Sequence, residues 1–158
     1  MRLIRIIMVV LAGLTLTACG SKFKTYSGPS VTLIEVHKAE RKMYLLHDGK
    51  VLDSFNIRLG GNPVGHKQFE GDGKTPEGSY TINRKNPKST YHLSLGVSYP
   101  NNADRAFASS HGKSPGGDIM IHGGPPKKVS GRPRVLRRPD WTAGCISVTD
   151  REIEKIYS

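Results

Sequence analysis

Apolar residues alternate with polar ones in several short runs of this chain, the period of half-buried strands. Val31-Thr-Leu-Ile-Glu-Val-His37 and Lys42-Met-Tyr-Leu-Leu-His47 are such runs. Asp48-Gly49-Lys50 supplies a hairpin turn into a third, Val51–Leu59, giving a three-stranded meander. The chain from Gly60 to Gly78 is dense in Gly and Pro and reads as a loop of successive turns. Strands are expected again at Ser79–Ile82, Tyr91–Tyr99 and Ile119–Ile121, with a short helix over Ala103–Ala108. Ser110–Gly117 is turn-rich, and Gly123–Pro139 combines Pro, Arg and Lys with few apolar residues, an irregular surface excursion. Thr149-Asp150-Arg151-Glu152 has the spacing of a capping box and starts a final helix with Ile153, Ile156 and Tyr157 on its apolar face. No internal repeat is visible. The pattern predicts one mainly β domain with short helices.

Candidate chemistry lies at the two ends of the Gly123–Pro139 excursion. His122 follows the apolar run Ile119-Met120-Ile121, and Cys145 stands between Gly144 and a strand-like Ile146-Ser147-Val148. A thiol becomes a nucleophile when a base or cation favours its thiolate, and imidazole is the usual partner. Small residues before the cysteine let the backbone aim N–H groups at a developing oxyanion. The residues therefore predict acyl transfer by Cys145 and His122. Strand-end histidines such as His37 and His47 are read as solvated, His92 and His111 as weak candidates for supporting roles, and Tyr91 and Tyr99 as core.

The first residues change the setting. Arg2 and Arg5 precede an apolar stretch, Ile6–Leu16, and a small-residue exit, the organisation of a secretory signal too short to span a bilayer as a permanent helix. Leu16-Thr17-Ala18-Cys19 resembles a bacterial lipobox, in which Cys19 would carry the lipid and begin the mature protein; cleavage without lipidation is the alternative. By the same resemblance, Gly20 favours the outer membrane. We expect residues 1–18 as signal, 19–30 as a tether and 31–158 as the domain, lipid-anchored at the periplasmic face of a bacterial envelope. The chain has two cysteines, so acylation of Cys19 leaves Cys145 without a disulfide partner in an oxidising compartment. A zinc site is disfavoured, because no Cys-x-x-Cys or His-x-x-x-His spacing accompanies it. The formal charge of +11 suits an anionic polymer or a membrane surface. Nucleic acid is not expected as a partner: an exported chain rarely meets it, and basic and aromatic residues are not interleaved.

Ile121-His122-Gly123 followed by a spacer and Gly144-Cys145-Ile146, with Gly71-Asp72-Gly73-Lys74-Thr75-Pro76-Glu77-Gly78 upstream, resembles the L,D-transpeptidase catalytic (YkuD) domain family over Val31–Ser158. Asp140-Trp141-Thr142 before Ala-Gly-Cys, and Tyr99-Pro100-Asn101 with Ala103-Asp104-Arg105, resemble its YafK-like branch, some of whose members hydrolyse the bond between a lipoprotein and peptidoglycan. Ser147 stands where that family commonly has Arg, and the interval from His122 to Cys145 is longer than usual. The resemblance implies a β-sandwich of mixed sheets with the cysteine at the foot of a groove. It implies Cys145 attack at the meso-diaminopimelate of a peptidoglycan stem peptide, with His122 holding the thiolate and oriented by the Gly123 carbonyl. The oxyanion would be held by the amides of Gly144, Cys145 and Ala143. Arg132, Arg134, Arg137 and Arg138 are read as a solvated run that could clamp substrate carboxylates, Arg137 and Arg138 being the closest to the cysteine, and Trp141 as groove wall or core. No metal or organic cofactor is implied, and a monomer is expected. Transfer to an amine, hydrolysis by water, and a peptidoglycan-binding lipoprotein with a decayed site are the readings to separate. The last helix is still running at Ser158, which suggests a domain lacking its final element.

Overall fold

The computed structural model describes residues 21–126 and 139–158. The signal, Cys19 and the arginines of the excursion, Arg137 and Arg138 among them, lie outside the described residues.

The meander forms as expected. Strands β1 (Leu33–His37), β2 (Lys42–His47) and β3 (Lys50–Asn56) make an antiparallel sheet in the order β1-β2-β3. Asp48 and Gly49 both adopt positive φ, as a tight hairpin turn with right-handed strand twist requires. A register shift at Leu45/Leu46 lets two consecutive leucines both be buried.

The second sheet contains β4 (Ile82–Asn86), β5 (Ser94–Val97), β6 (Met120–His122) and β7 (Ile146–Ser147), in the order β4-β5-β6-β7. The first pairings are antiparallel and β6–β7 is parallel, so this sheet is mixed. Two expectations shift here. β4 begins where Ser79–Ile82 was to end, because an edge strand exposed along most of its length carries no alternating signal. The Tyr91–Tyr99 strand shrinks to β5, because His92 turns left-handed (φ 74) and takes Tyr91 out of the ladder.

The chain after β3 ties the two sheets together. Arg58 and Ser147 exchange backbone hydrogen bonds of 2.9 and 2.8 Å, Thr142 N–H donates to Leu59 O, and Gly61 N–H donates to Thr142 O. Arg41 clamps the Asp140 carboxylate through Nε and Nη2, and Asp140 Oδ1 also accepts from Leu59 N–H. The segment that leads into Cys145 is thus pinned to β3's extension.

Two short helices complete the domain. Helix α1 (Asn102–Ser110) is capped by Asn101, with Asp104 closing the capping box. Helix α2 (Asp150–Tyr157) is capped by Thr149, with Glu152 returning the bond, as its sequence predicts. Met43, Leu45, Phe55, Ile57 and Leu59 from the first sheet meet Leu95, Ile121, Ile146, Ile153 and Ile156 in one core. The fold is a mainly β structure with mixed sheets and two short helices. Among the described residues no helix is long and apolar enough to cross a membrane.

Candidate active site

Neighbouring residues on paired strands point to the same face of a sheet, and alternate residues along a strand share it. Ile121 pairs with Ile146 and both enter the core, so their neighbours turn to the opposite face. His122 pairs with Ser147, and one step back along the same parallel register Met120 stands beside Cys145. His122 and Cys145 therefore occupy adjacent rows on one outer face, diagonal to each other.

His122 is almost wholly enclosed, at 2 % exposure. Its Nδ1 lies 2.7 Å from the Gly123 carbonyl, an acceptor only, so Nδ1 carries the proton and Nε2 keeps its lone pair. Ser147 Oγ donates to the same carbonyl at 3.1 Å from a fully buried position. Tyr91 lies along one side of the imidazole, ring centroids 4.4 Å apart and planes at 31°, and Trp141 meets it edge-on at 5.7 Å. Burial pushes the imidazole below its ordinary value, with the Gly123 carbonyl opposing.

Cys145 is a free, half-buried cysteine whose thiol donates to the Asp118 carbonyl at 3.4 Å. Burial pushes this thiol above its ordinary value; the Met120 backbone N–H and the charge of Lys67 oppose that, while Asp118 adds to it. Both shifts run towards the neutral forms, and Nε2, with its lone pair free, can take the proton as the thiol attacks.

Gly144 sits at φ 139, where a Cβ would stand 2.6 Å from the Lys74 carbonyl. Its N–H donates to Thr142 Oγ1 at 3.1 Å, and that hydroxyl donates to Cys145 O at 2.7 Å. In this structure the Gly144 amide is bonded within the turn it shapes. Among the described residues, the backbone N–H groups of Cys145 and Ala143 carry no hydrogen bond within the protein.

The loop that packs on this turn is organised by Asp72, which sequence reading passed over as part of a simple turn. Its carboxylate accepts from the N–H groups of Gln68, Phe69 and Lys74 and from Lys67 Nζ at 2.9 Å. Partial burial works against ionisation, but those donors prevail and hold Asp72 at about 2. Its position between Gly71 and Gly73, both at positive φ, is the sequence signal that could have revealed it.

The other candidates separate. Trp141 is 7 % exposed and faces His122, so it offers little surface to a substrate. His92 pairs with Glu154 at 2.8 Å, and His111 stacks on Phe107; neither joins the site. Tyr99 is core, as expected, whereas Tyr91 and Ser147 are site residues that sequence reading did not assign there. Lys22 and Lys24, from the expected tether, bond to Pro87 O and Glu154. Among the described residues no group of three or more His, Cys, Asp or Glu could hold a metal ion. A cavity of about 1150 Å³ opens between the sheets beside Val36, Leu95, Val97 and Ile156; it lies on the core face, and neither Cys145 nor His122 lines it.

The L,D-transpeptidase catalytic domain, YkuD, matches residues 31–158. YafK of Escherichia coli K12, named as a candidate L,D-transpeptidase, is 29% identical over 147 residues, covering 89% of this chain and 52% of that protein. YafK of Escherichia coli O157:H7 matches to the same extent. The chain thus spans about half the length of these relatives. The solved structure of Bdellovibrio bacteriovorus Bd1075 superposes with a TM-score of 0.50 at 25% identity, covering 78% of this chain and 42% of that one.

Proposed function

The chain belongs to the L,D-transpeptidase catalytic domain family, YkuD, an enzyme family, and we propose that it transfers acyl groups of peptidoglycan stem peptides through a thioester on Cys145. The observation that carries this reading is the diagonal placement of Cys145 and His122 on one sheet face, with Nδ1 tied to Gly123 and Nε2 left as the base.

In the first half-reaction Sγ attacks the carbonyl carbon at meso-diaminopimelate while its proton passes to His122 Nε2. The oxyanion is received by the amides of Cys145 and Ala143; one such donor is typically worth about 10²–10³ in rate. As the tetrahedral intermediate collapses, the C–N bond breaks and Nε2 returns its proton to the departing amine, leaving a thioester. In the second half-reaction Nε2 takes a proton from the acceptor, whose attack expels the Cys145 thiol.

An amine acceptor gives transpeptidation; water gives hydrolysis, including release of a lipoprotein from peptidoglycan. The similarity to YafK supports keeping both outcomes in the test. Murein sacculi carrying covalently attached lipoprotein are incubated with the protein, with Cys145→Ala as control, and products are identified by mass. New diaminopimelate–diaminopimelate dimers or exchanged D-amino acids mean transpeptidation, and freed lipoprotein lysine means hydrolysis. Products identical to those of the Cys145→Ala control would defeat the enzymatic reading and favour a binding role.

The N-terminal pattern and Cys19 are the basis for proposing action at the periplasmic face of the envelope, lipid-anchored. Labelled palmitate should enter the full chain and be lost in Cys19→Ser; equal labelling of both would contradict the anchor.

A further inference from the structure

A row of four residues crosses the second sheet and ends at the nucleophile. Arg84 pairs with Gly96, Gly96 pairs with Met120, and Met120 stands beside Cys145. Paired residues share a face, so the Arg84 side chain leaves the sheet on the same side as the Cys145 thiol. Two local features aim it inward. A register shift between Ile82 and Arg84 leaves Asn83 as an extra residue at the edge, the type of bulge that redirects a side chain. Gly96 then leaves room: a Cβ there would stand 3.2 Å from Arg84 Cβ and 3.5 Å from Arg84 Nε.

The guanidinium crosses this gap and reaches the residues around the thiol. Arg84 Nη2 lies 3.3 Å from Asp118 Oδ1 and 3.7 Å from Met120 Sδ. Asp118 is left-handed at φ 52, which turns its carbonyl to the Cys145 thiol and its carboxylate to Arg84. Together Asn83, Arg84, Gly96, Tyr99, Asp118 and Met120 line a cavity of about 250 Å³, and two of them, Asp118 and Met120, also contact the Cys145 thiol through their backbone. The side chains of Arg84 and Asp118 are 55% and 88% exposed, so this pair adds little to stability and most of its donor and acceptor capacity is open to a ligand from solvent.

A guanidinium fork and a carboxylate at one small mouth match a ligand group that carries both charges. We infer that Arg84 and Asp118 form a subsite for a free α-amino-carboxylate on the substrate: Arg84 takes the carboxylate through its fork, and Asp118 takes the ammonium. The subsite rests on Cys145 as the reacting group and sets which amino-acid residue is presented to it.

Two measurements test the subsite separately from turnover. In the first, the full chain is alkylated with iodoacetate, an anion, or iodoacetamide, its neutral counterpart, and modification is quantified at the Cys145-containing peptide by mass. The iodoacetate-to-iodoacetamide rate ratio should fall by about threefold or more in Arg84→Gln, be largely kept in Arg84→Lys, and rise in Asp118→Asn. This readout holds even if peptidoglycan is not the substrate. In the second, stem-peptide donors and acceptors are compared with the α-carboxylate free or amidated. Arg84→Gln should raise KM about tenfold for the free form, with kcat changed far less and the amide form insensitive. An effect confined to donor KM places the recognised group on the donor; one confined to acceptor KM places it on the acceptor. A reagent ratio that is the same in wild type and Arg84→Gln, or indifference to amidation, would overturn the subsite.

Discussion

The first sheet is one continuous antiparallel ladder from Leu33 to Asn56, closed by short turns; the second gathers four short strands from distant parts of the chain and finishes on the two-residue β7. In the first, the side-chain period and the turn residues carry nearly all the information. In the second, side chains that bond to backbone set position: Asp72 to Lys74 and Thr142 to Gly144 fix tight turns, and Ser147 reaches back to Gly123 across the excursion. The chemistry sits in the second. Short strands and bent backbone let His122, Cys145 and Arg84 be placed by tertiary contact, without the pleat of a long strand dictating every residue.

The same substitution in the two regions breaks this comparison most sharply. Gly144→Ala puts a methyl group against the Lys74 carbonyl at an already unfavourable φ, and should cost about 3 kcal/mol or more and remove activity. Measured by denaturant unfolding, a loss similar to that of Gly49→Ala would contradict the close packing of loop and nucleophile turn. Asp72→Asn comes next. With its carboxyl held at about 2 against an ordinary 3.8, Asp72 contributes roughly 2 kcal/mol that is present above pH 4 and lost as pH falls through 2. The variant should therefore be less stable at neutral pH and show a flatter stability profile between pH 4 and 2; an unchanged acid profile would refute the role given to the Asp72 carboxylate.

Smaller effects sharpen the picture around His122. Tyr91→Leu should lower kcat about three- to tenfold by loosening the imidazole, and Tyr91→Phe should restore it. Opening the imidazole to water should also raise its pKa, moving the acid limb of the pH–rate profile to higher pH; an unmoved limb would reduce Tyr91 to packing. The smallest change is Gly49→Ala. Its φ of 79 disfavours a side chain but nothing stands within 4 Å, so the cost should be about 1 kcal/mol with activity intact.

Sequence pattern reached far into the first sheet because its signals are local. Asp48-Gly49 announces the hairpin, and Thr149 with Glu152 announces α2, from residues a few positions apart. The pair His122 and Cys145 was legible because glycine beside a strand-end histidine and cysteine is a local signal too. β4 was misplaced because an exposed edge strand needs no alternation. Tyr91 looked like core because only the left-handed turn at His92 brings its ring to the imidazole, and Arg84 drew no assignment because its aim depends on a bulge and on Gly96 in the neighbouring strand. The upward push of burial on the thiol comes from packing, which no spacing expresses.

The central claim is a thioester on Cys145 formed with His122 as base, and intact-protein mass after brief incubation with a stem-peptide donor tests it most directly. The account predicts a mass increase equal to the acyl part of the donor, released by hydroxylamine, absent in Cys145→Ala and slow to form in His122→Ala. Turnover without any adduct on trapped wild-type protein, or an equal adduct on Cys145→Ala, would contradict it.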